Sequence, residues 1–97
     1  MSVRIVCINK SEGDHDNPNE AISRYGWINE STGESGFSIR QIMVDWVSEG
    51  NVAYVIGSLG VKVYCHVRTS PRGTEFLQTY SDDRPTNNLL ELQECNQ

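Results

Sequence analysis

Apolar and polar positions along the chain fall into short alternating runs, broken once by a helical spacing. Val3, Ile5 and Cys7 alternate with Arg4, Val6 and Ile8, the period of a strand with one core face and a second, partly apolar one. Asn9 to Glu20 reads NKSEGDHDNPNE and offers no apolar side chain to bury, which predicts a long loop ending near an Asn17-Pro18 turn. ISRYGWIN, from Ile22 to Asn29, is aromatic and branched and predicts a second strand. The turn residues ESTG close it, and Gly36 and Phe37 extend into a short return strand. In SIRQIMVDWVSEG, Ser38 and Gln41 have capping-box spacing. Ile39, Ile42, Met43, Trp46 and Val47 recur at three and four residues, and Gly50 supplies a left-handed stop. The spacing predicts a helix over about Ile39 to Glu49 with that stripe facing the core.

The second half is strand-like. VAYVIG, Val52 to Gly57, reads as a central strand. VKVYCHVRT places Val61, Val63, Cys65 and Val67 on one face and Lys62, Tyr64, His66 and Arg68 on the other. Ser70-Pro71-Arg72-Gly73 suits a type I turn, TEFLQTY makes a last strand from Thr74 to Tyr80, and SDDRPT reads as a loop. Strands outnumber helices and their connections are short. The expected fold is therefore α+β, a single domain over residues 1–97. It has an antiparallel sheet of about five strands, curved or barrel-like, with the one helix packed on one face.

The end of the chain, TNNLLELQEC, carries three leucines where chains usually fray. Burying Leu89, Leu90 and Leu92 contributes roughly 5–9 kcal/mol, against roughly 7–14 kcal/mol for ordering about seven residues. The tail must therefore also form backbone hydrogen bonds, along the sheet or in a turn begun by Asn87 and Asn88. Leu89, Leu90, Leu92 and Cys95 are expected to be structural, closing the fold.

Composition narrows the function classes. No apolar run approaches the ~20 residues that span a bilayer, and the opening MSVRIVCIN lacks the pattern of a signal peptide, so the expected setting is cytoplasmic. Three cysteines in a reducing compartment read as free thiols, with Cys7 and Cys65 inward and Cys95 exposed. A formal net charge of −5 argues against broad phosphate binding. Asp14, His15 and Asp16 form a candidate loop cluster, but Pro18 and Asn19 break the calcium-loop pattern. Cys65 and His66 point to opposite faces of a strand and cannot share zinc. No metal and no cofactor is expected. His66 has no nucleophile placed by sequence beside it, and nucleophile elbows, phosphate loops and dinucleotide fingerprints are all missing. The stripe Lys62, Tyr64, His66 and Arg68, extended by Tyr25 and Trp27, is the candidate binding surface, because aromatic and cationic side chains on an exposed sheet suit a partner or a single nucleic-acid strand.

From the helix onward the runs MVDWVSEG, AYVIG, GVKVYCHV, GTEFLQTYSDD and NNLLELQEC resemble the bacterial and archaeal family catalogued as domain of unknown function 3892. The resemblance spans Ser38 to Cys95, and the tail is its most specific part. Asn87 stands where that family tends to have Asp and Gln93 where it tends to have Pro. The resemblance implies a small prokaryotic domain and supplies no catalytic residue. The resulting expectation is a small, acidic, non-enzymatic module that binds an unidentified protein partner through the loop Asn9 to Glu20 or the outer sheet face. The first alternative is single-stranded nucleic-acid binding, disfavoured by the acidic charge. A small enzyme or metal-binding protein comes third, and no membrane partner is expected.

Overall fold

The computed structural model describes residues 2–10, 21–57, 60–81, 84–86 and 88–95. They form the strands β1 (Ser2–Lys10), β2 (Ile22–Ile28) and β3 (Ser35–Ile39), the helix α1 (Arg40–Ser48), and the strands β4 (Val52–Ile56), β5 (Lys62–Thr69), β6 (Glu75–Ser81) and β7 (Arg84–Thr86). One mixed sheet runs in the order β3-β2-β1-β4-β5-β6-β7, six longer strands and a three-residue seventh. The α+β class and the single helix agree with expectation, while three details differ. The strand order is linear, so the sheet is open and not a barrel. SDDRPT contributes β7 where a loop was expected. And β1 pairs β4 in parallel, Val3 opposite Ala53, because β3 and α1 intervene between β2 and β4 and make the crossover that a parallel pair requires.

The core lies between α1 and one sheet face. It gathers Val3, Ile5 and Ile8 from β1, Ile22 and Tyr25 from β2, Met43 and Val44 from α1, Ala53 and Val55 from β4, Cys65, Leu77 and Leu89. The helix is rotated from the expected stripe. Met43 is buried and Trp46 and Val47 pack against the core, as the stripe predicts, and Val44 is buried with them, whereas Ile39 and Ile42 are 57% and 55% exposed. Ile39 belongs to β3, and the chain passes from strand to helix without a loop. The expected capping box does not form either. Ile39 is the N-cap with no side-chain bond, Ser38 Oγ accepts a hydrogen bond from Trp27 Nε1 at 3.1 Å, and Gln41 Nε2 donates to Asp45 at 3.0 Å. Gly50, at φ 103°, ends the helix as its sequence position predicts.

Alternation in β1 is interrupted by an irregularity between Ile5 and Cys7. A bulge inserts one residue and reverses which face the next side chain takes. Ile8 therefore enters the core cluster, and Cys7 emerges on the outer face opposite Gly26, not inward with Val3 and Ile5. There it bonds Cys95, with Cα atoms 5.0 Å apart. The three cysteines are accordingly one disulfide and one buried free thiol, Cys65, and Cys95 is buried, not exposed. The free-thiol expectation rested on the odd cysteine count and the compartment, and the contact that overturns it joins residues 88 apart in sequence.

The tail behaves as its energetics demand. Only the first part of β1, Ser2 to Arg4, pairs with β4, which leaves the later backbone on that side open. Residues 93–95 fill it: Ile8 N–H donates to Gln93 O at 3.0 Å and Cys95 N–H donates to Ile8 O at 3.1 Å. A turn with Glu91 N–H on Asn88 O and Leu92 N–H on Leu89 O precedes it. Leu89 is fully buried, with Leu90 and Leu92 packed against the core. No described helix is long and apolar enough to cross a membrane.

Candidate functional site

The sheet face away from α1 is built by strand register. Strand alternation sends Lys62, Tyr64, His66 and Arg68 of β5 to this side and Val63, Cys65 and Val67 to the core side, as the sequence predicts. Val61 is the exception, lying before the strand and 61% exposed. Pairing then aligns one row across the sheet, with Ile28 opposite Arg4, Arg4 opposite Tyr54, Tyr54 opposite Tyr64, and Tyr64 opposite Tyr80. Next to it His66 faces Gln78 and Arg68 faces Phe76.

These side chains order one another. Lys62 Nζ lies 4.6 Å from the centre of the Tyr54 ring, a cation–π contact. Tyr54 and Tyr64 are tilted at 6.4 Å, and His66 meets Tyr80 edge-on at 5.2 Å. Arg68 donates to Gln78 Oε1 at 2.7 Å. Farther along, Arg24 donates to Asn9 Oδ1 at 2.7 and 2.9 Å and lies 5.0 Å from the centre of the exposed Phe37 ring. The Tyr54 ring is buried while its hydroxyl donates to Glu30. That hydrogen bond to a carboxylate, with desolvation second, raises the Tyr54 pKa and keeps the phenol protonated. Glu30 also pairs with Arg4 at 3.9 Å, a half-exposed contact of little energetic weight.

Tyr25 and Trp27, expected to extend the stripe, are on the other side. Tyr25 is completely buried in the core and Trp27 packs against it. Their strand alternates as foreseen, but α1 covers that face. Asp14, His15 and Asp16 lie outside the described residues. Sequence reading missed Arg4, Tyr54, Gln78 and Tyr80, because only cross-strand register reveals them. VAYVIG looked wholly apolar, and its tyrosine gave no sign of facing outward.

The chemistry of this face is lopsided. Arg4, Arg24, Lys62 and Arg68 are accompanied, among the described residues on this side, by the single carboxylate Glu30. A chain that is acidic in total thus presents a cationic, ring-rich surface. Cys65 is buried, and burial pushes its thiol up to about 12, so it carries almost no thiolate at neutral pH. Among the described residues no group of three or more His, Cys, Asp and Glu is placed to hold a metal ion.

Comparison with known proteins returns no matching curated protein and no matching solved structure. A family model does match, over residues 4–93. That span takes in most of β1, the rest of the sheet, the helix and most of the tail, extending well before the stretch whose motifs resemble the family. The chain belongs to the family described as Protein of unknown function (DUF3892).

Proposed function

We propose that this protein is a non-enzymatic interaction module that docks a protein partner on its outer sheet face. The observation that carries the reading is the in-register row Arg4, Tyr54, Tyr64 and Tyr80, flanked by Lys62, His66 and Arg68. Tyrosine and arginine are the residues that dominate protein interfaces. Here they are already held by Gln78, Tyr54 and Tyr80, so little side-chain entropy is lost on binding. Tyr64 is 47% exposed, and Val52 and Phe37 add exposed apolar surface at 38% and 48%. Four cations against one carboxylate select a partner segment that carries acidic side chains beside apolar ones.

A second reading is favoured by the same tyrosines. Rings in successive strands, bordered by cations, form the platform on which unpaired bases stack. The two readings separate in one experiment. The tagged chain and its Tyr64→Ala/Arg68→Ala variant are used to capture partners from cells of the native source, and both are titrated with labelled single-stranded oligonucleotides at low salt. A protein retained by the native chain and lost by the variant, with no oligonucleotide binding, supports the first reading. Salt-sensitive oligonucleotide binding lost in the variant supports the second. Equal capture by both chains refutes the face.

A cytoplasmic setting remains part of the proposal, and the Cys7–Cys95 bond pulls against it, since cystines persist mainly in oxidising compartments. Trapping thiols in intact cells decides the matter. A reduced pair places the chain in a reducing compartment, and a cystine places it outside one.

A further inference from the structure

On the opposite side of the sheet, between α1 and the β2–β3 hairpin, lies a cavity of about 150 Å³, a volume that holds a guest of about benzene size. Trp27 from β2 and Trp46, Met43 and Ile42 from α1 form its apolar walls. Trp27 is fixed in place. Its Nε1 donates to Ser38 Oγ, and its six-membered ring lies against Gly36, where any Cβ would come within 3.0 Å of Cζ2. Ile42, more than half exposed, leaves the cavity open to solvent on the helix side.

The polar atoms of the lining decide what could enter. Asn29 Oδ1 already accepts from the backbone N–H groups of Ser31 and Thr32 at 3.0 and 3.3 Å, and Ser38 Oγ accepts from Trp27, so these two residues offer only the neutral donors of an amide and a hydroxyl. Glu34 remains. It is exposed, contributes to the lining, and its carboxylate has no ion-pair partner among the described residues. Among the described residues no lysine, arginine or histidine lines the cavity. An anion would meet Glu34 and no counter-charge. A sugar has more hydroxyls than Asn29, Ser38 and Glu34 can pair among apolar walls, at a cost for each polar group buried without a partner. A primary ammonium would give up a tightly held water shell. A cation whose charge is spread under alkyl groups gives up far less water and gains from both the indoles and the carboxylate.

We propose that this cavity binds an alkylated ammonium group, with the Trp27 and Trp46 indoles against its alkyl groups and Glu34 as counter-charge. The site is independent of the outer sheet face. Trp27 and Trp46 are the only tryptophans in the chain, so intrinsic tryptophan fluorescence reports on this cavity alone. The full chain is titrated with choline chloride and tetramethylammonium chloride, with sodium chloride as the ionic control and 3,3-dimethyl-1-butanol as the uncharged match for choline. Both ammonium salts should give a saturable change and sodium chloride none, with the alcohol weaker by about tenfold or more. Glu34→Gln, at an exposed position, should keep the melting temperature and weaken choline binding by about tenfold. A peptide carrying trimethyl-lysine identifies the source of the cation: tighter binding than choline points to a protein side chain, and weaker binding to a free metabolite. No saturable response, equal binding of the alcohol, or unchanged binding by Glu34→Gln would overturn the assignment.

Discussion

Breaking the Cys7–Cys95 bond should cost this domain a large part of its stability. The bond joins residues 88 apart in sequence, and in the chain-entropy account closing so long a loop is worth about 4.5 kcal/mol. Leu89, Leu90 and Leu92, one fully and two partly buried, contribute about 3–6 kcal/mol, and the four backbone hydrogen bonds of the tail about 4 kcal/mol. Together these reach about 11–15 kcal/mol, against about 7–14 kcal/mol for ordering seven residues. With the bond removed the balance vanishes or reverses, so the tail should detach before the sheet unfolds. Scanning calorimetry with and without reductant is the assay, paired with mass spectrometry of alkylated thiols. Denatured without reductant, the chain should take up one alkyl group, at Cys65, and after reduction three. The melting temperature should fall by roughly 10 °C or more on reduction, taking ~4–8 °C per kcal/mol for a domain of this size, and Cys95→Ser should match the reduced chain. Three alkylated thiols without reductant, or a melt indifferent to reductant, would show that the bond does not hold the tail.

Two further outcomes follow from the same region and the core. Gly26→Ala places a Cβ into overlap with Cys7 Sγ and within 3.0 Å of Cys95 Sγ, so it should cost about 1–3 kcal/mol by denaturant melts, and less in the Cys95→Ser background, where the coupling is lost. Alkaline stability is set partly by Cys65. Its folded pKa lies near 12 against an ordinary 9.0, so between those values the unfolded chain releases a proton that the folded chain keeps. Stability from this group is therefore intact below pH 9 and declines by about 1.4 kcal/mol per pH unit above it. Tyr25, raised chiefly by burial and next by Cys65, pushes the same way from pH 10 upward. Cys65→Ala should flatten the profile between pH 9 and 10; a profile as steep as that of the native chain would contradict this.

Local pattern made the strands legible, and long-range register did not. VKVYCHVRT alternates so strictly that its two faces could be read directly, and Gly50 and Ser70 to Gly73 marked the helix stop and the turn, where Gly73 N–H donates to Ser70 O at 2.9 Å. The helix stripe held for Met43, Trp46 and Val47 and failed at Ile39 and Ile42, which satisfy helical spacing yet lie off the side that meets the sheet. The capping box failed for a tertiary reason, since the Trp27 indole takes Ser38. One bulge in β1 moved Cys7 to the other face and made a disulfide that spacing alone could not announce. Gly26, inside a strand, was the available hint, because a strand glycine often marks a close approach. Of the candidate site, the β5 stripe was visible, while its partners on β1, β4 and β6 belong to other parts of the chain and needed register to appear. Tyr25 and Trp27 show the complementary failure, as alternation gives a side-chain face without telling which face the helix will cover.

The central claim, that the outer face is the working surface, is tested most directly by hydroxyl-radical footprinting of the chain alone and bound to its captured partner. Tyr64 and His66 on the outer face and Ile42 on the helix side are all exposed in the free protein. The partner should protect Tyr64 and His66 and leave Ile42 unchanged. Protection of Ile42 with Tyr64 and His66 still fully reactive would contradict it.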